Sequence, residues 1–480
     1  MSASMSRRRF LAQAAWGSAG AMVLRRAASA RSYAANEKIR CGLVGCTGRG
    51  QAFLGADALA LYDIAALCDV DSQRAAAVFK RMPNVPKFAD FRLMLDKMGK
   101  QIDGVIVCTP DHVHAAVTAA AIRAGKHVYC EKPLTRTVHE ARAVTELAAK
   151  HKVVTQMGNQ GGYNVRAVEY VRAGSLGEIR TVHLKGVRRM ANAGGGPRTR
   201  TPGAYTVPDG FNWDLWLGPA AARPYHPEWV SPNWRVWRDF SGGDLGGFAP
   251  HLFVTTFKAL KMETLWQAKE GAVQRPIIRV TAECSDDCPG GVCRETFPRW
   301  VVVHWDIPAR EDMPPVRLTY CRDDDAPTPH EKWIAALREV FDKHPECGTV
   351  ERFLAGYKGR CELLVGTKGM MRTARSGPSS LMELLPAERF QDLGNPPESL
   401  PRPLGAPGPS GWTDAIRGGT APMCNFVDLS GGFTEWYLLG NLASLFPKQT
   451  LEYDPLAGRI VNNEAADQAA RPAYREGWRL

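Results

Sequence analysis

Two stretches of the 480-residue chain carry ionisable side chains that could act on a substrate hydroxyl. The first is CEKPLT (Cys130–Thr135), in which Lys132 directly precedes a proline. The second is GGDLGGFAPHLF, residues 242–253, in which a glycine-rich turn leads to His251. Histidine can accept a proton near neutral pH, and a lysine ammonium can stabilise negative charge on an oxygen. The pair could therefore deprotonate an alcohol, although a histidine beside apolar residues is also common in protein cores.

A glycine-rich turn near the start of the chain could bind the phosphates of a dinucleotide. Residues 45–50 read GCTGRG and follow the apolar strand pattern IRCGLVG. In the usual pattern, G-x-G-x-x-G, the outer positions are held here by Gly45 and Gly50, while Thr47 takes the middle one. We expect Gly48 and the Thr47 hydroxyl to compensate, with the N-terminus of the following helix facing the phosphates.

The identity of the dinucleotide is indicated by Asp69, which ends the second predicted strand, nineteen residues after Gly50. A carboxylate at this position would bond to the adenosine ribose hydroxyls and repel a 2′-phosphate. The sequence therefore predicts NAD, tightly bound, and disfavours NADP. A Rossmann-like fold that binds no dinucleotide remains the alternative.

Alternating strand and helix patterns would position these residues. Residues 36–158 contain short apolar strand patterns separated by helical stretches such as 72–81 and 137–150. Continuous apolar strands are typical of a parallel sheet that is covered on both faces. Lys132 would lie at the carboxyl end of one such strand, where ligands bind, and Pro133 would fix the turn. The sequence predicts an α/β fold with an N-terminal Rossmann domain, a doubly wound parallel sheet.

The motif around Lys132 resembles the Glu-Lys-Pro motif of the Gfo/Idh/MocA oxidoreductases, which include glucose–fructose oxidoreductase and inositol dehydrogenase. CTPDHVH (Cys108–His114) is similar to the family's Thr-Pro-x-x-x-His segment, and GNQ (residues 158–160) follows the next strand. NWDLWLGPA, VGTKGMM, TEWYLLGNLA and the closing YREGW resemble segments of exported members. The resemblance covers nearly the whole chain after residue 35, except for the insert around Cys284–Pro298.

The resemblance implies a C-terminal α+β domain, residues 159–480, with an open and mostly antiparallel sheet. IRTVHLKGV, IIRVTAEC, WVVVHWDI and VRLTYC have strand composition, and the GTKGMM region fits a hairpin. The family's substrates are sugars, polyols or glycosides, and these would bind between this sheet and the Rossmann crevice. The resemblance also implies a homo-oligomer that assembles through the C-terminal sheet.

The same resemblance implies roles for individual residues. Lys132 and His251 correspond to catalytic positions of the family. The residues implied in cofactor binding are Gly45, Thr47, Gly48, Arg49, Gly50, Asp69, Thr109, Pro110, His114, Glu131, Lys132 and Gln160. These assignments predict an NAD-dependent oxidoreductase that transfers a hydride from a hydroxyl-bearing carbon of a sugar, polyol or glycoside.

One acid of the family pattern is missing. The family has an Asp four residues before the histidine, on the same helix face, and here that position is Gly247. Asp244 lies three residues too early to replace it, and we expect Pro250 to disturb a regular helix at His251. Two alternatives therefore stay open. One is an NAD-assisted glycoside hydrolase or lyase that uses transient oxidation, and the other is a non-catalytic carbohydrate-binding pseudoenzyme, which Thr47 and Gly247 favour.

Residues 1–35 predict export, as a twin-arginine signal peptide and linker. Ser6–Leu11 (SRRRFL) resembles a twin-arginine signal, and an apolar run, Phe10–Leu24, and a small-residue AASA site follow it. The apolar run is too short for a stable membrane span. The formal charge of the whole chain is +12, of which five positive charges lie in the first thirty residues; the remaining +7 is spread thinly, which argues against nucleic-acid binding. We expect a periplasmic or cell-envelope protein.

Three of the twelve cysteines lie in one polar loop, CSDDCPGGVC (Cys284–Cys293). No histidine or fourth cysteine stands at ligand spacing, so no metal site is predicted. A loop disulfide is favoured in an oxidising compartment. We expect it between Cys284 and Cys293, with Cys288 less constrained; free thiols and a zinc site remain alternatives.

Overall fold

The computed structural model of the chain describes residues 37–186, 200–230, 232–267, 275–286, 288–323, 331–355, 361–374, 381–400 and 408–480. The predicted signal peptide and linker, residues 1–35, lie outside this part of the chain. Among the described residues, no helix combines the length and the apolar character needed to cross a membrane.

Fifteen strands in the described ranges form two sheets. The strands are β1 (Ile39–Val44), β2 (Tyr62–Cys68), β3 (Lys87–Phe88), β4 (Gly104–Val107), β5 (His127–Glu131), β6 (Thr155–Gly158), β7 (Ile179–Lys185), β8 (Ile278–Cys284), β9 (Trp300–Ile307), β10 (Val316–Asp323), β11 (Cys361–Gly366), β12 (Gly369–Ala374), β13 (Leu381–Leu385), β14 (Leu451–Asp454) and β15 (Arg459–Ile460).

Fourteen α-helices occur in the same described ranges, and most of them pack on the two sheets. They are α1 (Ala56–Leu61), α2 (Ser72–Arg81), α3 (Phe91–Met98), α4 (Asp111–Arg123), α5 (Val138–His151), α6 (Val165–Arg172), α7 (Trp213–Leu217), α8 (Gly243–Leu252), α9 (Val254–Ala259), α10 (Glu331–Lys343), α11 (Val350–Ala355), α12 (Pro409–Ile416), α13 (Gly431–Ala443) and α14 (Glu464–Ala469). Short 3₁₀ helices and one π-helical turn, Phe426–Ser430, connect some of these elements.

The first sheet is the predicted Rossmann sheet. Its six described strands are all parallel, in the order β3-β2-β1-β4-β5-β6. Central strands are buried on both faces, as in β4, where all four residues are buried. Because the strands are parallel, the turns that follow β1, β2, β4 and β5 meet at one edge of the sheet.

The second sheet confirms the predicted open and mostly antiparallel sheet. Its nine described strands have the order β13-β12-β11-β7-β10-β9-β8-β14-β15, and every neighbouring pair is antiparallel except β7 and β10. Trp305 and Tyr320 face the main core, which α8 and α13 complete. On the other face, Trp333 of α10 and Phe353 of α11 bury Val302 and Leu363.

Two local predictions about helices differ from the structure. The turn after β1 leads into a 3₁₀ helix, Gly48–Leu54, and not a regular α-helix, since Gly55 is extended and interrupts the segment before α1. Conversely, α8 continues through Pro250, so the expected disturbance at His251 is absent. Proline removes the bond to the carbonyl four residues earlier, here that of Gly246, and glycine leaves that peptide free to adjust.

The predicted disulfide between Cys284 and Cys293 is wrong. The structure joins Cys288 to Cys293, with Cα atoms 5.0 Å apart. Cys284 is the last residue of β8, so the sheet holds it away from the loop. Gly290 and Gly291 adopt positive φ and fold the loop back between the two bonded cysteines.

Candidate functional site

A cavity of about 860 Å³ lies at the carboxyl edge of the Rossmann sheet and is lined by residues of both sheets' domains. This volume is in the upper range of ligand pockets, so a dinucleotide and a small substrate could share it. The predicted site residues found at its wall are Gly45, Thr47, Gly48, Arg49, Asp69, Thr109, Pro110, His114, Glu131, Lys132, Gln160 and His251. Gly50 is the predicted residue that the wall does not include.

The glycine turn explains both the role of Gly50 and the tolerance of Thr47. A Cβ on Gly50 would lie 1.9 Å from the carbonyl oxygen of Gly45, so Gly50 lets the turn close. Gly45 has φ +85°, and a Cβ there would lie 2.7 Å from the Cys108 carbonyl. Thr47 has φ −103°, whereas the positive φ of +54° falls on Gly48. The left-handed position is therefore next to the threonine, at Gly48.

Asp69 follows β2 and is held by the backbone. Its Oδ2 accepts from the N–H of Cys46 at 2.9 Å, and its Oδ1 accepts from the N–H of Asp71 at 3.1 Å. Burial raises the pKa of Asp69, and these backbone donors oppose that shift. Arg74 also lines the cavity and would suit a 2′-phosphate. The carboxylate at the ribose position nevertheless favours NAD.

Arg49, Glu131 and Gln160 form one polar group in the cavity wall. Arg49 Nε lies 2.9 Å from Glu131 Oε1. When the Gln160 amide is oriented with its oxygen toward Arg49, that oxygen accepts from Arg49 Nη2 at 2.9 Å. Burial raises the pKa of Glu131, and the charge of Arg49 opposes that change. Glu131 Oε2 and Thr109 Oγ1 are buried without a hydrogen-bond partner among the described residues. Both line the cavity, so a polar ligand such as a dinucleotide fits them.

His114 lines the cavity, but both of its ring nitrogens face backbone carbonyls. Nδ1 lies 2.7 Å from the Pro133 oxygen and Nε2 lies 2.8 Å from the Thr109 oxygen. Both nitrogens can donate when the ring is protonated. Burial lowers the pKa of His114, but Cys130, Asp111 and the Pro133 carbonyl outweigh it and raise the pKa to about 10. His114 therefore holds two cavity loops together; a direct contact with cofactor stays a prediction.

Lys132 and His251 reach the same cavity from different domains. Lys132 Nζ donates to the Gly247 carbonyl at 2.9 Å, and His251 Nδ1 lies 2.9 Å from the Asn159 carbonyl. A neutral ring that donates from Nδ1 has Nε2 as its basic nitrogen. Asn159 Nδ2 also donates to the Pro250 carbonyl at 3.2 Å, so Asn159 fastens the end of α8. Gln160 of the GNQ segment was predicted from the sequence, whereas its neighbour Asn159 was not.

Asp111 is a second site residue that was not predicted from the sequence. It is the first residue of α4, it is buried, and it accepts from the N–H of Gly242 at 3.0 Å. Burial lowers the pKa of Lys132, and the charge of Asp111 opposes that shift. Asp244 accepts from the Tyr320 hydroxyl and lies outside the cavity wall, as its spacing predicted. The Asp of the TPDHVH motif was the available signal.

Aromatic and cationic side chains complete the wall near the two catalytic candidates. Trp234, Arg235 and Phe248 line the cavity together with Lys132 and His251. Flat aromatic faces can pack on the apolar faces of sugar rings, and a guanidinium can donate to their hydroxyls. The wall therefore has the chemistry to bind a polyhydroxylated ligand beside a lysine and a histidine.

Comparison with known proteins identifies two segments of the chain. Residues 39–159 match the model of the oxidoreductase family Gfo/Idh/MocA, NAD-binding Rossmann fold, and residues 198–259 match that family's C-terminal alpha/beta domain. A levoglucosan dehydrogenase of Pseudarthrobacter phenanthrenivorans is 32% identical over 120 residues, 24% of this chain and 29% of that protein. An inositol 2-dehydrogenase of Salmonella paratyphi B is 30% identical over 173 residues, 35% of this chain and 50% of that protein.

The chain thus matches half or less of the length of these curated relatives. Among solved structures, an inositol dehydrogenase homolog complexed with NAD⁺ from Azotobacter vinelandii shares the fold, with a TM-score of 0.51 and 17% identity over 87% of this chain and 98% of that chain. The first matched segment, residues 39–159, spans the six-stranded parallel sheet. Residues 39–159 are thus similar to the NAD-binding Rossmann fold of the Gfo/Idh/MocA oxidoreductase family, and residues 198–259 are similar to that family's C-terminal alpha/beta domain.

Proposed function

We propose that the chain is an NAD-dependent oxidoreductase that removes a hydride from a hydroxyl-bearing carbon of a sugar, polyol or glycoside. One observation carries this proposal: a single cavity combines Asp69 and the glycine turn with Lys132 and His251. The first pair suits the ribose and phosphates of NAD, and the second suits a reacting hydroxyl. The names of the relatives, inositol and levoglucosan dehydrogenases, support the substrate class.

In this proposal, the chain's own residues bind the hydroxyl and move its proton. The bound dinucleotide supplies the hydride acceptor. The Lys132 ammonium donates to the substrate oxygen and stabilises its developing negative charge. His251 accepts the hydroxyl proton at Nε2, while the Asn159 carbonyl holds Nδ1–H and fixes the tautomer. Burial lowers the pKa of Lys132, and the charge of Asp111 opposes that shift.

The experiment is a panel of free sugars, polyols and glycosides, assayed for NADH formation and for products. A member of the correct class should give equal amounts of NADH and oxidised product. Lys132→Met should abolish this activity, whereas Lys126→Met, which alters a lysine outside the cavity wall, should retain it. Cleavage of a glycoside with no net NADH would replace the proposal by the redox-assisted glycosidase. Bound NAD without turnover on any member would favour the pseudoenzyme.

We also propose that the protein is exported through its twin-arginine segment to the periplasm or cell envelope. The support is Ser6–Leu11 together with a dinucleotide-binding fold, because NAD is scarce outside the cytoplasm and would have to be loaded before export. Cell fractionation tests this proposal with the full chain and with Arg7 and Arg8 both changed to Lys. Equal export of the two proteins would refute the twin-arginine route.

We also propose that copies of the chain assemble through the C-terminal sheet. Helices α10 and α11 cover one part of the outer sheet face, and charged ladders such as Arg279–Glu452 and Arg317–Asp306 line another part. We infer that copies meet on this charged part. Light scattering should give a multiple of the chain mass that falls when Arg279 and Arg317 are both changed to Glu. An unchanged mass would refute this interface.

A further inference from the structure

The C-terminal tail, residues 471–480, lies against the half of the cavity that contains Asp69. Trp478 of this tail lines the cavity together with Phe91 and Val113. We propose that the tail closes the adenosine end of the dinucleotide site and that the Trp478 indole contacts the adenine ring. This proposal rests on the NAD binding proposed above, and it gives a role to the YREGW motif that the catalytic assignment leaves unused.

Hydrogen bonds on both sides of Trp478 hold the tail in place. Arg475 Nε donates to the Gly218 carbonyl at 2.6 Å, and its Nη2 donates to the Asp214 carbonyl at 2.6 Å. Arg92 Nη1 donates to the carbonyl of Gly477, at 3.3 Å. The tail is therefore fastened to α3 and to the end of α7, the elements that flank this half of the cavity.

The indole of Trp478 is itself held by aromatic and cationic neighbours. The Arg92 guanidinium lies over the ring, with Cζ 4.7 Å from the ring centroid. The Phe91 ring centroid is 6.0 Å away, at an interplanar angle of 50°. The indole is half-buried, so it keeps surface that faces the cavity. A planar apolar ligand is what such surface can bind.

Phe91, Val113 and Trp478 form a slot in the cavity wall, and its position indicates adenine as the ligand. In doubly wound sheets the dinucleotide lies across the carboxyl ends of the strands, and the acid after β2 binds the adenosine ribose. Phe91 follows β3, the edge strand next to β2, whereas Lys132 follows β5 on the other side of β1. The slot formed by Phe91, Val113 and Trp478 is therefore on the adenosine side of Asp69. Base–aromatic contacts favour a planar base in such a slot.

Calorimetric titration with NAD and with ADP-ribose tests this contact. Trp478→Ala should weaken both ligands by the same factor, about 5- to 150-fold, the range found for a stacked base. The KM for NAD should rise by that factor, while kcat and the KM for the sugar stay unchanged. Trp478→Phe should keep most of the affinity. Leu480→Ala is the matched control, because it alters the same tail outside the cavity wall.

Hydrogen exchange on the wild-type chain provides a test without substitution. ADP-ribose should slow amide exchange in the C-terminal tail. Unchanged exchange, or a Trp478→Ala protein that binds ADP-ribose as tightly as the wild type, would overturn the role of the tail and leave NAD binding intact. A wild-type chain that binds neither NAD nor ADP-ribose would instead overturn the proposed function and this inference together.

Discussion

Replacing His251 by alanine should separate a catalytic histidine from a structural one. His251 is half-buried near the end of α8, and its Nδ1 is fixed by the Asn159 carbonyl, 2.9 Å away. A positioned general base contributes about 10²–10⁴-fold in rate. His251→Ala should therefore lower kcat/KM for the sugar by about this factor and leave the affinity for NAD nearly unchanged.

The structure also predicts a smaller, graded effect at Asn159. Asn159→Ala keeps the backbone carbonyl that holds His251, but it removes the amide that donates to the Pro250 carbonyl at 3.2 Å and accepts from the N–H of Gly162 at 3.1 Å. A net hydrogen bond of about 0.5–1.5 kcal/mol corresponds to roughly a two- to tenfold loss in rate if all of it positions the helix end. The two variants should thus differ by at least tenfold.

The assay is steady-state NADH formation from a substrate of the panel, with protiated and deuterated carbinol carbon, across a pH series. Because the base must be neutral, the wild-type kcat/KM should fall at acid pH, and His251→Ala should lack this limb. His304→Ala is the control: this histidine is half-buried, bonds to Thr319 through Nδ1 at 3.0 Å, and lies outside the cavity wall. Normal turnover with a lowered melting temperature in His251→Ala would refute the catalytic role.

Four further outcomes follow from charge and burial. Asp69→Ser should narrow the preference for NAD over NADP in calorimetric titrations, since it removes the carboxylate that would repel a 2′-phosphate. Burial lowers the pKa of Lys132, and the charge of Asp111 opposes that shift, so Asp111→Asn should move the alkaline limb of kcat/KM to lower pH. Gly247→Asp adds a carboxylate in open space and should move the same limb to higher pH. Burial raises the pKa of Glu362 from 4.5 to about 8, so its neutral form stabilises the fold below pH 4.5 and that stability declines as pH rises to 8. Glu362→Gln should therefore unfold at a higher temperature than wild type at pH 8 but not at pH 4.5, as measured by calorimetry.

Features that depend on local pattern were predictable from the sequence. The apolar runs of β1, β4 and β5, and the alternation of strands with helices, identify a parallel sheet because each signal lies within a few neighbouring residues. Lys132 and Asp69 could be placed for the same reason, since each directly follows a recognisable strand. The C-terminal strands were also recognisable, but their order in the sheet follows from pairings between distant segments.

Features that depend on distant contacts were not predictable in the same way. The strand pattern IIRVTAEC already placed Cys284 at the end of β8, but the sequence alone did not show that the loop folds back to join Cys293 to Cys288 instead. Asn159 donates a hydrogen bond to the carbonyl of Pro250, ninety-one residues away, and an asparagine in a loop has no local pattern that identifies such a partner. The aspartate of TPDHVH could be assigned to a helix start, but its contact with Gly242, 131 residues away, has no local signature.

The absence of an acid at position 247 changes which part of the molecule supplies the charge that raises the pKa of Lys132. With an aspartate at position 247, the charge that balances Lys132 would come from α8 in the C-terminal domain. Here that position is Gly247, which offers its carbonyl to Lys132 at 2.9 Å, and the charges that oppose the effect of burial on the Lys132 pKa are those of Asp111 and Glu131, both in the Rossmann domain. The ammonium and its counter-charge therefore belong to the same domain, and α8 contributes the base, His251. The pKa of Lys132 should then depend on residues of the Rossmann domain. The rate at which the substrate hydroxyl loses its proton should depend on how closely α8 brings His251 to that hydroxyl.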